Sequence, residues 1–170
     1  ESRKTAFVRA KVVTELRRQF EERGFIEVET PVLLTQATGA TARPFATHHN
    51  ALDLDLSLRI ATELFLKRLV VGGIERVFEI GRIFRNEGVD TTHNPEFTVM
   101  ELYVAYKDYN WMMELVETML EQVAIAVAGS TKVQCGEHLI DFKRPWPRYS
   151  MYEAIEKYTG VDISEMDEAA

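Results

Sequence analysis

Two extended runs, residues 76–87 and 95–106, meet across Gly88-Val89-Asp90-Thr91-Thr92, and this pair constrains the fold more than any other feature of the chain. Side chains on a strand alternate between two faces. Val77, Glu79, Ile83, Arg85 and Glu87 therefore share one side of the first run, provided no bulge intervenes at Gly81. On the second run Phe97, Val99, Glu101, Tyr103 and Ala105 share a side. An in-register hairpin puts Arg85, Glu87, Phe97, Glu101 and Tyr103 on one face, and Phe78, Ile80, Phe84, Met100, Leu102 and Val104 on the other. The second set reads as a core face. The first sets an arginine, two carboxylates, a tyrosine and a phenylalanine side by side, which is costly to bury unless the charges pair or bind something. Two outcomes stay open. One is a cross-strand ion-pair ladder on a solvated face. The other is a polar floor for a charged ligand, with Arg85 holding an anion, Phe97 stacking a planar ring and the glutamates taking a cation or ammonium.

The remaining segments supply what packs against such a ribbon. Val8, Val12, Leu16 and Phe20 recur every four residues, with Val13 beside them, and predict a helix stopped at Gly24. Residues 25–30 alternate as a strand that Pro31 ends or places at an edge, and residues 35–43 read as a loop. Over residues 52–60, Leu52, Leu54, Leu56, Leu58 and Ile60 point one way, and Asp53, Asp55, Ser57 and Arg59 the other. A helix over 62–71 stops at Gly72-Gly73. Asp108 caps a helix carrying Met112, Leu115, Val116, Met119, Leu120 and Val123 on one stripe and ended by Gly129. A hairpin follows around Gly136-Glu137, and Ser150 with Glu153 predicts a capping box for a last helix. Strands outnumber long helices and hairpin links outnumber crossovers. The fold class is therefore α+β, a mainly antiparallel sheet with helices packed on one side.

Length and charge narrow the function classes. A chain of 170 residues fits one domain. No apolar run approaches the roughly 20 residues of a membrane span, and no secretory leader pattern opens the chain. The single Cys135 cannot form an internal disulfide, which favours a cytosolic protein, and it reads as a small buried apolar residue. With a net charge of −7 the chain is a poor general binder of phosphate backbones, so any nucleic acid must be met at a local basic site. His48 and His49 are neighbours on a strand and point apart, which argues against joint metal ligation. Arg17 and Arg18 read as a solvated helix face, Trp111 and the methionine stripe as core, and His138 as exposed.

Phe84-Arg85-Asn86-Glu87, followed by a short loop, His93-Asn94-Pro95-Glu96-Phe97 and Glu101, resembles the second signature motif of class II aminoacyl-tRNA synthetases. Gly24-Phe25-Ile26-Glu27-Val28-Glu29-Thr30-Pro31 resembles their first motif, a helix and strand ending in proline at a dimer interface. Ala42-Arg43-Pro44-Phe45 and Leu66-Lys67-Arg68-Leu69-Val70-Val71-Gly72-Gly73 are similar to the bacterial-type lysyl branch of that family. The resemblance implies that residues 1–170 are part of a cytoplasmic, homodimeric catalytic domain that joins lysine to ATP and then to tRNA(Lys). It further implies that Arg85 bridges the lysine carboxylate and the ATP α-phosphate. Glu87 would accept from the adenine amino group, and Phe97 would stack on the base. His93 and Asn94 would sit near the phosphates and adenosine. Gly39 and Glu63 would take the lysine α-ammonium, with Glu101 and Tyr103 helping to recognise the amino groups. The loop Gly88-Val89-Asp90-Thr91-Thr92 would meet the tRNA acceptor end, and Pro31 would lie at the dimer interface.

The pattern also departs from the family. Thr38 stands where a glycine is common, Thr62 where proline is usual, Phe65 where tyrosine is common, and Thr92 where an arginine is common. No third motif is found. The Mg2+ ligands, a further lysine-selecting glutamate and the anticodon-binding barrel would lie outside this segment. The chain thus resembles the first half of a catalytic domain, a poor catalyst alone. Two alternatives are a paralogue loading lysine onto a protein and a non-catalytic dimerising module of the same fold.

Overall fold

The computed structural model describes residues 2–164 and Met166, and the chain divides into two compact units, residues 1–112 and 113–170. The first holds α1 (Ser2–Glu22), β1 (Ile26–Glu27), β2 (Leu33–Leu34), β3 (Ala46–His49), β4 (Leu54–Leu58), α2 (Glu63–Val71), β5 (Arg76–Phe84) and β6 (Glu96–Val104). One sheet has the order β1-β5-β6 and a second the order β2-β4-β3. All pairs are antiparallel except β1 with β5, which run parallel with Ile26 against Val77. Each of these two strands leaves its preceding helix through a positive-φ glycine, Gly24 (φ 74°) and Gly73 (φ 101°). The segment from β2 through α2 is the long crossover that a parallel pair needs.

The β5–β6 ladder runs unbroken past Gly81, pairing Val77 with Tyr103, Glu79 with Glu101, Gly81 with Val99 and Ile83 with Phe97. The Arg85 N–H donates to the Pro95 carbonyl at 2.8 Å and extends the pairing by one step. The expected sharing of a face by Arg85, Phe97, Glu101 and Tyr103 therefore holds. The expected placing of helices on one side does not. α1 packs on the Phe78 face, where fully buried Phe20 stacks on Phe78 with centroids 4.4 Å apart, and the Arg9 guanidinium donates to the Thr98 hydroxyl. α2 covers the opposite face through buried Leu66, the Thr62 N–H on Glu101 and Lys67 over Tyr103. The cause lies in β5 itself. Val77 and Ile83 are buried on the polar face just as Phe78 is on the other, so both faces carry apolar surface that needs cover.

Arg59 also departs from expectation. Periodicity placed it on one face with Asp53 and Asp55, which are exposed, yet it is buried, while Leu52 and Leu54 of the apolar face are exposed. β4 spans only Leu54–Leu58, not the whole expected run of 52–60, so strand alternation fixes neither Leu52 and Asp53 before it nor Arg59 after it.

The second unit contains most of α3 (Tyr109–Ala128), then β7 (Lys132–Cys135), β8 (His138–Asp141) and α4 (Met151–Thr159). The Asp108 carboxylate caps α3 by accepting the Trp111 N–H at 3.0 Å. Leu115, Met119 and Val123 are buried as their stripe predicts. The segment after β8 lies along α3 through the ion pairs Arg148–Glu117 and Arg144–Glu121, and Trp146 donates its Nε1–H to the Phe142 carbonyl at 3.1 Å. Cys135 is exposed rather than buried, because the two-stranded β7–β8 ribbon leaves most of its side chains uncovered. Among the described residues, no helix is long and apolar enough to cross a membrane.

Candidate active site

The site lies at the end of the β5–β6 ribbon and along its α2-covered face. Arg85 follows β5, its backbone pinned opposite Pro95. Its guanidinium stands 5.4 Å from the Phe97 ring centroid, the residue two steps along β6 on the same face. Among the described residues it joins no ion pair; its Nε lies 3.5 Å from the Ile60 carbonyl. Next along the chain, the Asn86 N–H donates to the Arg43 carbonyl at 2.8 Å, and the Arg43 N–H donates to Glu87 Oε1 at 3.2 Å. The loop before β3 thus fixes the start of the hairpin loop. Arg85, Glu87, Gly88, Thr92, His93, Asn94 and Phe97 line a cavity of about 460 Å³. Val89 and Thr91 do not contribute to its lining.

Asp90 closes the loop on itself. Its Oδ1 accepts from the Thr92 N–H at 2.7 Å, the Thr92 hydroxyl at 2.9 Å and the His93 N–H at 2.8 Å, and His93 Nδ1 lies 2.8 Å from Oδ2. The Thr92 backbone donor, then the His93 and Thr92 side chains, lower the Asp90 carboxyl to about 2. The carboxylate that shapes the loop is thereby used up in holding it.

A second, acidic cluster occupies the same face nearer α2. Glu63 stands in the first turn of that helix. Glu101 accepts the Thr62 N–H at 3.4 Å on Oε1 and the Tyr103 hydroxyl at 3.3 Å on Oε2. Burial, then the charges of Glu101 and Glu63, push the Tyr103 phenol well above its ordinary value, so it acts as a donor throughout the physiological range. The Lys67 ammonium sits 2.5 Å from Glu63 Oε1 and 5.8 Å from the Tyr103 centroid. Gly39 has φ +89°, and a Cβ there would come 3.1 Å from Ala61 Cβ and 3.2 Å from Glu63 Cβ. Only glycine brings that backbone so close to the start of α2. Gly39, Glu63, Glu101 and Tyr103 are thus gathered together, whereas Pro31 is exposed in the connection between β1 and β2.

Of the two outcomes open for this face, Arg85 takes part in no ladder. The ion pair that does form joins Arg59 to Glu79, both buried, with Nη1 to Oε1 at 2.6 Å. Sequence reasoning missed that pair, together with Thr30, Arg43 and Lys67. Glu79 shares parity with Glu101, and a mid-strand glycine follows two residues later. These were the available signals for a buried acid with a partner lying over the sheet. Thr62, at the N-cap of α2, is buried, and its hydroxyl finds no hydrogen-bond partner among the described residues.

The helix-flanked antiparallel ribbon thus carries an arginine over a phenylalanine, in no ion pair among the described residues, with an acidic cluster beside it. The chain belongs to the family of tRNA synthetases class II (D, K and N), whose model matches residues 1–168. It is similar to lysine--tRNA ligases in particular. It is 62% identical over 161 residues to that of Porphyromonas gingivalis ATCC 33277, covering 95% of this chain and 28% of the relative. To the ligase of Gloeobacter violaceus it is 58% identical over 162 residues, 95% of this chain and 33% of the relative. To that of Bacillus cytotoxicus it is 56% identical over 163 residues, 96% and 33%. The chain spans no more than about a third of the length of the curated relatives it matches.

Proposed function

We propose that this segment forms the ATP- and amino-acid-binding face of a cytoplasmic lysine–tRNA ligase. One observation carries the reading. Arg85 is charged and free of carboxylate partners among the described residues, and it stands between a 460 Å³ cavity floored by Phe97 and an acidic cluster on the same sheet face. An α-amino acid with a basic side chain has two ammonium groups and one carboxylate, and this layout offers carboxylates to the first and an arginine to the second. In this reading Glu63 and the Gly39 backbone receive the α-ammonium, and Glu101 with Tyr103 helps to hold the amino groups. Phe97 stacks on adenine, Glu87 accepts from its amino group, and His93 and Asn94 lie along the phosphates and adenosine.

The chemistry then needs no side-chain nucleophile. The lysine carboxylate attacks the α-phosphorus of ATP, a carboxylate–phosphorus bond forms, and the bond to the pyrophosphate oxygen breaks. Arg85 contacts both reacting groups, so it aligns them and meets the charge that builds on the equatorial oxygens. Transfer of the lysyl group to tRNA(Lys) releases AMP, with residues 88–92 facing the acceptor end. Magnesium, when bound, would offset the charge of the triphosphate; among the described residues no group of three or more His, Cys, Asp or Glu side chains converges to hold it.

Calorimetric titration of the complete protein carrying this segment, with ATP, lysine and aspartate, tests the reading. Lysine should bind and aspartate should not. Arg85→Ala should weaken both lysine and ATP binding by about a hundredfold, the scale of losing a charge-assisted bidentate contact of about 3 kcal/mol. Equal binding of aspartate, or an Arg85→Ala protein with unchanged affinities, would overturn it.

A further inference from the structure

Glu79 and Glu101 stand directly opposite each other in the β5–β6 ladder, on the face that carries the acidic cluster. Like charges so placed repel across roughly 5 Å, yet the two carboxylates are treated very differently. Glu79 is 3% exposed and fully engaged: Arg59 Nη1 donates to Oε1 at 2.6 Å, and the Thr30 hydroxyl donates to Oε2 at 2.6 Å. The Arg59 guanidinium is itself held by its donations to the Arg82 carbonyl at 2.8 Å and the Thr30 carbonyl at 3.0 Å. It lies flat over Gly81, so that any side chain there would strike Nη2. Glu101, by contrast, accepts only two long hydrogen bonds from uncharged donors, at 3.3 and 3.4 Å, and joins no ion pair among the described residues.

We infer that Arg59 and Glu79 are a positioning pair that keeps the guanidinium away from Glu101 and so reserves that carboxylate for an ammonium group of the substrate. This rests on the acidic cluster being the amino-acid site. Arg59, Glu79 and Glu101 together carry one net negative charge, and because the neutralised acid is buried and saturated, that charge resides on Glu101. Lys67 on this face is already engaged by Glu63. Without the anion at 79, Arg59 would be left as an unpaired cation beside position 79, which faces Glu101 across the ladder, and Glu101 would be neutralised by the protein instead of by the substrate.

Lysine-dependent exchange of pyrophosphate into ATP by the complete protein tests this. Glu79→Gln keeps the shape and an acceptor oxygen for Arg59 while removing the charge, its amide N–H now facing the Thr30 hydroxyl in place of the second acceptor. The lysine KM should rise by about tenfold, a charge interaction partly screened by the site's solvent, while the ATP KM stays within about twofold because Arg85 and Phe97 are untouched. The double variant Arg59→Gln/Glu79→Gln restores one net negative charge and should return the lysine KM toward its starting value despite the further loss of contacts. Glu79→Asp retains the charge, so its lysine KM should hold within about twofold even where the melting temperature falls. An unchanged lysine KM in Glu79→Gln, lysine and ATP KM rising together, a double variant worse than the single one, or Glu79→Asp matching Glu79→Gln would each reduce the pair to a purely structural role. Exchange that ignores lysine in the unsubstituted protein would instead sink the functional reading. Lysine-dependent exchange lost in Arg85→Ala but indifferent to Glu79→Gln would sink only the positioning role.

Discussion

Gly81 shows how a single residue reports on charge placement on its own strand and the next one. Glycine in a strand interior ordinarily weakens the sheet, and replacing it with alanine where the backbone allows usually stabilises. Here the ladder is regular and Gly81 is not among the residues with positive φ, so backbone conformation does not demand glycine. Space does. An added Cβ would reach Arg59 Nη2 inside 3.0 Å and Glu79 Oε1 at 3.0 Å. The guanidinium cannot retreat without breaking its bonds to Arg82, Thr30 and Glu79. Gly81→Ala should therefore destabilise by about 2–3 kcal/mol, the combined scale of overpacking and of disturbing a buried ion pair. Urea denaturation of the variant against the unsubstituted protein measures it, and a gain in stability would mean that Arg59 does not lie over the strand.

At the scale of elements, what could be read from the sequence is what a period of two or a local cap controls. The ribbon of β5 and β6 and the sharing of one face by Arg85, Phe97, Glu101 and Tyr103 were legible because no bulge interrupts the alternation at Gly81. The Ser150–Glu153 box was legible because it is a four-residue interaction, and both of its bonds form: the Glu153 N–H on Ser150 Oγ at 3.2 Å and the Ser150 N–H on the Glu153 carboxylate at 2.6 Å. Arg59 was not legible, since its direction is set by the chain leaving β4, and neither was α2 on the polar face, which depends on tertiary packing. Strand parity grouped Arg85, Glu87 and Phe97; the bringing of His93, Asn94 and the 88–92 loop to the same place, and the roles given to all of them, rest on resemblance and remain a proposal. The cap also makes a pH prediction. The Ser150 N–H bond holds the Glu153 carboxyl below its ordinary value. A depressed folded-state value means that its support for α4 is present above the ordinary carboxylate range and is lost as pH falls through the lowered value. Amide chemical shifts over residues 151–159 should keep helical positions at neutral pH and drift toward coil on acidification below the ordinary carboxylate range. In Ser150→Ala, α4 should already be weakened at neutral pH by about 1 kcal/mol. Shifts insensitive to both changes would show that the cap does not hold the helix.

For the molecule as a whole, net charge and exposed apolar surface point in different directions. A charge of −7 keeps copies of the chain apart and gives the RNA backbone no general attraction. Yet the first unit leaves Phe7 and Val8 of α1, Ile26 of β1, Val32 beside Pro31, Leu33 of β2 and Leu54 of β4 all exposed, with Leu33 at 50%. Of these, Val32, Leu33 and Leu54 lie on or beside the paired strands β2 and β4, and exposed apolar side chains gathered in this way are what a partner surface requires. We propose that this surface, with Pro31, joins two copies of the complete protein. Sedimentation equilibrium should then give twice the protomer mass, and a single central substitution should weaken association by about a hundredfold or more if Leu33 is a hot spot. The choice of substitution matters. Glutamate would add to a segment that already carries −7, whereas Leu33→Arg lowers that segment's negative charge, and a second variant checks for an effect of the added charge. Leu139→Arg makes the same change in charge at a 61% exposed leucine of the β7–β8 ribbon and should leave the dimer intact. Dissociation by both variants would assign the effect to charge, and by neither would remove Leu33 from the interface; dissociation by Leu33→Arg alone is the outcome expected of an apolar dimer surface.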